Sequence, residues 1–352
     1  MSRLSDVLRG IPSVNRALEE KASDHLDRLT KPPGSLGRLE DIAVQYCCIT
    51  GAVSPLLGKK AIFTFAGDHG VAEERVSAYP KEVTPQMVRN MLAGGAAVSV
   101  LAAHAGAEVR VVDIGVDDPL EGAVGLVRRK VRSGTGNIAK EPAMTAGEAR
   151  QALEAGIDLA RGAAADGVKL IGTGEIGIAN TTPSAALFAA LLPCSPGEIA
   201  GRGTGIDDET LTKKVAVIER ALSLHSDNLS DPVEALAAIG GLEIAGIAGL
   251  ILGAAFCRVP VVVDGFISSA GALVACRMCE RVKNYLFFSH CSEERGHRVF
   301  FEQFGADPIL DLRLSLGEGT GAALAMPIIE SAVKIYNEMA TFDSAGVSEG
   351  GP

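Results

Sequence analysis

The chain has 352 residues, enough for one large domain with a satellite or for two domains, and its 47% hydrophobic and 22% charged composition with 41 glycines reads as an ordinary globular enzyme. A net charge of −10 argues against long-range steering to nucleic acid but leaves local anion sites open, because backbone N–H groups bind phosphate whatever the net charge. Met1 to Pro12 lacks the apolar run of a secretory signal, Ile244 to Phe256 is too short and too glycine-interrupted for a membrane span, and seven cysteines read as reduced thiols, so a soluble cytoplasmic protein is expected.

From Pro12 to Cys48, apolar residues at helical spacing (Val14, Leu18, Leu26, Leu29, then Leu36, Leu39, Ile42, Tyr46) are broken at Lys31-Pro32-Pro33-Gly34. The pattern predicts a helix–turn–helix arm outside the main sheet, since neither proline continues a helix. From Lys59 onward, short β-branched runs (Ala61–Phe65, Val109–Ile114, Val168–Ile171, Val259–Val263, Tyr285–Phe288) alternate with longer helical stretches. Those stretches are Gln86–His104, Ala146–Ala164, Glu209–Leu224, Val233–Phe256 and Ser268–Val282. Strands apolar on both faces and separated by helices predict an α/β fold, a parallel sheet flanked by helices. Thr145 with Glu148 forms a capping box at one helix start. The last periodic helix spans Leu324–Met339, and the small polar tail beyond it is expected to fray.

In an open parallel sheet, ligands bind beyond the carboxyl ends of the strands. The segments expected there are glycine-rich: Ala66-Gly-Asp-His-Gly70, Gly172-Thr-Gly-Glu-Ile-Gly177 with Asn180-Thr-Thr182, Arg202-Gly-Thr-Gly-Ile-Asp207, Asp264-Gly-Phe266, Ser289-His-Cys-Ser292 and Leu316-Gly-Glu-Gly-Thr-Gly321. One such loop is as readily a tight turn as a ligand cradle; several at one sheet edge favour a phosphate site. Gly172–Gly177 also matches the dinucleotide pattern GxGxxG, but no strand ending in an acidic residue follows about 20 residues on, so a nicotinamide-dependent oxidoreductase is a minor alternative. A non-catalytic nucleotide sensor is the other.

Glu175 and Glu318 sit among glycines, where a carboxylate has no packing reason to be. Partial burial would raise its pKa and fit it for general-base work, function outweighing structure for Glu318 and balancing it for Glu175. Cys276, Cys279, His290 and Cys291 superficially suggest zinc, yet a predicted strand separates the pairs, so they read as core thiols and no metal is expected. His25, His104 and His225 read as structural helix residues. Asp68-His69 lacks a third ligand nearby in sequence.

Taken together, Lys31-Pro-Pro-Gly-Ser-Leu-Gly-Arg-Leu-Glu40, Phe65-Ala-Gly-Asp-His-Gly-Val71, Gly172–Thr182, Gly201–Ile206 and Gly317-Glu-Gly-Thr-Gly321 resemble, in order and over almost the whole chain, the nicotinate-nucleotide–dimethylbenzimidazole phosphoribosyltransferase family. The resemblance implies transfer of phosphoribose from nicotinate mononucleotide to 5,6-dimethylbenzimidazole, giving α-ribazole 5′-phosphate for the cobalamin lower ligand, with no cofactor. It implies a Rossmann-like catalytic domain (residues 59–321), a small helical domain from both chain ends (1–58 with 322–343), a flexible tail (344–352) and a homodimer that shares active-site residues. Carried over by motif, Glu318 is the catalytic base and Glu175 a second acidic residue at the ribose. Gly177, Gly203, Gly205, Lys214, Asp264 and Ser292 would bind phosphate and ribose, and Tyr79, Pro80, Gln86, Met87 and Leu316 the aromatic base. Tyr79 stands where relatives often carry a small residue and Ser315 where several carry arginine, with Arg313 two positions earlier, so the base pocket and one phosphate or ribose contact depart from the family pattern.

Overall fold

A computed structural model describes residues 3–203 and 205–348. Helices α1 (Arg3–Gly10), α2 (Ala17–Asp27) and α3 (Arg38–Thr50) lead into strand β1 (Lys59–Gly67). Then come α4 (Val83–Leu92), α5 (Ala97–His104), β2 (Ala107–Gly115), β3 (Val127–Arg128), α6 (Ala146–Ala165) and β4 (Val168–Ile176). The chain continues through α7 (Thr181–Leu191), α8 (Pro196–Ile199), α9 (Asp208–Leu224), α10 (Pro232–Ile239), α11 (Leu242–Phe256) and β5 (Val261–Val263). It ends with α12 (Phe266–Met278), β6 (Leu286–Phe288), α13 (Arg295–Phe304), α14 (Thr320–Glu338) and α15 (Phe342–Ala345).

The strands form one parallel sheet in the order β3-β2-β1-β4-β5-β6. This is the doubly wound Rossmann order, and its switch point lies between β1 and β4, where ligands bind beyond the carboxyl ends. Ile62, Phe63 and Phe65 of β1 are fully buried, as the two-sided apolar pattern requires. The glycine-studded segment from Ile244 is the interior of α11, buried along nearly its whole length. Its glycines make the burial possible. A Cβ at Gly249 would land on the Leu153 backbone of α6, and one at Gly246 would stand 2.6 Å from Phe65. No described helix is long and apolar enough to cross a membrane.

Glycine also accounts for where the sequence misleads. The run expected to end at Ile171 stays in the sheet to Ile176, so Gly172 and Gly174 are strand residues, not a loop. A Cβ at Gly172 would meet Met326 Cε at 2.9 Å, and one at Gly174 would overlap the Glu318 carbonyl; the glycines let β4 press against the segment entering α14. The helix expected over Gln86–His104 breaks at Gly94-Gly95, and that over Val233–Phe256 at Gly240-Gly241. The Thr145–Glu148 capping box forms as read. Helices α1, α7, α8 and α13 and strand β3 were not anticipated. The two ends of the chain meet: Thr30 N–H donates to Ala340 O, Phe342 N–H to Arg28 O, and His25 Nε2 lies 2.9 Å from Tyr336 O. The short helix α15 lies at the start of the tail, with Thr341 Oγ1 capping it by accepting from Ser344 N–H; residues 349–352 of the expected tail lie outside the described residues.

Candidate active site

The carboxyl ends of β1, β4, β5 and β6 converge on the segment 317–319. Gly317, Glu318 and Gly319 have φ of 84°, 64° and 105°, three successive left-handed residues at the start of α14. Such a backbone is uncommon for a glutamate and persists where its surroundings fix it. Three bonds do so here: Glu318 N–H donates to Glu175 O (3.2 Å), Thr64 Oγ1 to Glu318 O (2.8 Å), and Val98 N–H to Glu318 Oε2 (3.3 Å). The side chain is 2% exposed. Burial raises its pKa, the Val98 N–H at the start of α5 opposing that rise.

Glu175 lies at the penultimate position of β4, opposite Phe65 of β1. Its carboxylate presses on the α-carbon of Gly317 and accepts from Asn180 Nδ2. Burial pushes Glu175 up to about 8; the nearby Asp264 carboxyl adds to the rise and the Asn180 amide opposes it. Asn180 reaches this position because Ala179 before it is also left-handed, with φ of 72°. The structure thus brings Glu175 and Glu318 to one place, as buried carboxyls whose proton affinity burial raises.

Asp264, just beyond β5, belongs to the same cluster with a different task. Oδ2 accepts from Gly319 N–H and Oδ1 from Ala322 N–H, both at 3.0 Å, so the carboxylate caps α14 and fixes the Glu318 segment. Each oxygen accepts one backbone N–H in these bonds and keeps a further acceptor site, so the cap and the expected ribose contact are compatible. Burial nevertheless pushes it up to about 7. Gly177 follows directly on β4. Its α-carbon packs on Gly67 O and the His69 ring, a close approach between β4 and β1.

The remaining expected anion contacts lie around α9. Lys214 is fully buried and donates to Thr181 Oγ1 (2.8 Å) and Gly201 O (3.0 Å). Burial pulls its ammonium down to about 8, the Glu294 carboxylate acting the other way. Gly203 and Gly205, left-handed at 51° and 92°, shape the loop above it, and Gly205 is open to solvent. Ser292, after β6, gives its N–H to His297 Nδ1, and its Oγ accepts from Glu294 N–H, leaving the hydroxyl proton to donate. Because Nδ1 of His297 accepts, its proton sits on Nε2, 3.0 Å from Ser269 Oγ; burial, with His290 adding to it, holds the ring down at about 3, hence neutral.

Tyr79, Pro80 and Gln86 are exposed, Met87 is half-buried and Leu316 is 58% exposed. Thr84 of α4 accepts from Ile178 N–H through Oγ1, which ties the helix carrying Gln86 and Met87 to the residues just past β4. A cavity of about 510 Å³ lined by Arg16, Arg38, Gln45 and Phe288 lies instead between the N-terminal arm and the β6 edge, away from these carboxyls.

Several participants were not read from the sequence. Thr64 and the Val98 N–H give no local signal. Asn180 and Thr181 were visible as part of a motif without an assigned task. Glu243, at the start of α11, faces His69 with Oε1 3.0 Å from Nε2, both buried. Burial lowers the His69 pKa, but the Glu243 carboxylate outweighs it and the net shift is upward. Sequence places these partners 174 positions apart, which is why His69 looked solitary. Among the described residues no group of three or more His, Cys, Asp or Glu side chains is arranged to hold a metal ion.

A family model described as "Phosphoribosyltransferase" matches residues 11–347. The chain belongs to that phosphoribosyltransferase family. A nicotinate-nucleotide–dimethylbenzimidazole phosphoribosyltransferase from Geobacter sp. (strain M21) is 58% identical over 348 residues, covering 99% of this chain and 100% of the relative. One so named from Pelodictyon phaeoclathratiforme is 59% identical over 347 residues, with 99% and 98% covered. Among solved structures, the crystal structure of CobT from Thermus thermophilus superposes with a TM-score of 0.91 at 47% identity, covering 95% of this chain and 100% of that one. The family match thus takes in most of both the N-terminal arm and the C-terminal helices, and Gly172–Ile176 is strand rather than a dinucleotide loop.

Proposed function

We propose that the chain transfers the phosphoribosyl group of nicotinate mononucleotide to 5,6-dimethylbenzimidazole or a related aromatic base, giving α-ribazole 5′-phosphate and nicotinate. The observation that carries this reading is the buried Glu318 carboxyl at the switch point, held by three backbone or hydroxyl bonds beside Glu175. The lone pair of one benzimidazole nitrogen forms the new bond to C1′ while the bond to the nicotinate nitrogen breaks. That bond's electron pair returns to the pyridine ring, so the leaving group departs neutral at nitrogen and needs no acid. Glu318 takes the proton from the other benzimidazole nitrogen, and a poorly solvated carboxylate suits that task near neutral pH. Glu175 is the second acidic residue at the ribose. Lys214, Ser292 and the Gly203–Gly205 loop hold the phosphate, and Tyr79, Pro80, Gln86, Met87 and Leu316 hold the base.

The exposed apolar side chain of Leu316, two residues before Glu318, supports a homodimer in which a second copy covers it. Residues 1–58 with 322–343 are read as a small helical domain, a reading supported by the pairing of Leu29 with Thr341. The seven free cysteines fit a reducing cytoplasm. Incubation with nicotinate mononucleotide and dimethylbenzimidazole should release nicotinate and form the ribazole phosphate. No release with any benzimidazole, purine or phenol removes the proposal.

A further inference from the structure

We propose that His69 and Glu243 are positioning residues for Glu175: their buried ion pair sets where the carboxyl end of β4 lies. The inference rests on the proposed place of Glu175 at the ribose. His69 Nε2 lies 3.0 Å from Glu243 Oε1, with the two side chains 1% and 0% exposed. The pair stands where three elements meet. His69 follows the end of β1, Glu243 sits in the first turn of α11, and Gly177 follows directly on β4. Glycines leave the space it fills. A Cβ at Gly177 would stand 2.3 Å from Gly67 O and 3.3 Å from His69 Nε2, and one at Gly67 would stand 3.2 Å from Glu243 Oε2. A Cβ at Gly241, the N-cap of α11, would stand 2.6 Å from both His69 Cε1 and Glu243 Oε2. The ring and the carboxylate are thus wedged against the backbone where β1, β4 and α11 come together.

Stability alone does not account for such a pair. Both ring nitrogens of His69 and both carboxylate oxygens of Glu243 are buried without a hydrogen-bond partner. Desolvating two charged groups with so little hydrogen bonding is costly, and apolar side chains of similar volume commonly serve a fold as well or better. What the pair does touch is the backbone that carries the site. Phe65 of β1 stands opposite Glu175 of β4, and Ala66 opposite Ile176, so the register that ends at Gly177 also places Glu175. The Glu175 carbonyl in turn accepts from Glu318 N–H, and its carboxylate presses on the α-carbon of Gly317. A displacement at the end of β4 is therefore passed to both glutamates. Misplacing a reacting group by about 1 Å lowers a rate by about 10²-fold, so small shifts matter here.

The test replaces the pair by apolar residues of similar size, His69→Leu together with Glu243→Met, and measures melting temperature, kcat, KM and a crystal structure. The double variant should melt at or above the wild-type temperature, because no unpaired charge is left behind. Its kcat should nevertheless fall by about tenfold or more, with the KM for dimethylbenzimidazole unchanged, and its crystals should show the Glu175 carboxylate moved off Gly317. Glu243→Gln keeps the length and a polar contact to the ring, so its turnover should stay within a few-fold of wild type. Should the double variant not fold, Glu243→Ala takes its place with the same readouts. A folded variant with wild-type kcat overturns the inference, as does one whose KM for dimethylbenzimidazole rises along with the lost turnover, the mark of general loosening. Wild-type protein that releases no nicotinate removes the proposed reaction, while the position of Glu175 in variant crystals still decides this inference. An unmoved Glu175 in a variant of an active enzyme does the reverse.

Discussion

Glu318 is a buried carboxyl on a left-handed backbone, and both properties bear on its proposed task. The backbone aims the side chain at Val98 N–H rather than at solvent, and burial raises its proton affinity toward the range where a base is effective. Glu318→Gln keeps the shape and one acceptor but cannot take a proton. Turnover of nicotinate mononucleotide with dimethylbenzimidazole is expected to fall about 10²–10⁴-fold with the melting temperature little changed. Turnover within a few-fold of wild type would show that another group removes the proton. The sequence made Glu318 legible because a charged residue between glycines has no packing explanation. It gave no sign that Asp264 caps α14, because the Gly319 and Ala322 N–H groups it accepts from lie more than 50 positions away in the chain.

At the scale of elements, β4 and the entry to α14 form one rigid unit. A Cβ at Gly174 would overlap the Glu318 carbonyl and stand 2.9 Å from Gly319 N, backbone that cannot rotate away as a side chain can. Gly174→Ala is therefore expected to cost about 1–3 kcal/mol of stability, read as a lower urea midpoint. It should also lower turnover by displacing Glu318. An alanine variant with wild-type stability and activity would show that the segment 317–319 is more pliable than its bonds imply. The same closeness explains why the sequence misplaces this strand's end. Glycine lowers strand propensity and reads as a turn, while here it answers to a neighbour more than 140 residues away that no local pattern reveals.

For the molecule as a whole, several acids are buried at one sheet edge, and their titration is expected to show in stability. Burial lifts Glu175 from 4.5 to about 8 and Asp264 from 3.8 to about 7. Between the unfolded and folded values the native state holds protons that the unfolded chain releases, so each group's contribution weakens stability as pH rises through that window. The urea midpoint is expected to fall from about pH 5 to about pH 8, and Glu175→Gln should flatten part of that slope. An unchanged slope in the variant would show that Glu175 titrates as an ordinary carboxylate. From the sequence alone came the alternation of apolar strands and amphipathic helices, hence the flanked parallel sheet, because those periods are local and burial enforces them. The order of glycine-rich motifs pointed to the family for a related reason: close backbone approach admits only glycine. The tertiary structure decided which glycines bend the chain and which let it pack, that Asp264 caps a helix, and that His69 has Glu243 as partner. Those outcomes depend on which distant segments the sheet order brings together, and a one-dimensional pattern carries no distance between them.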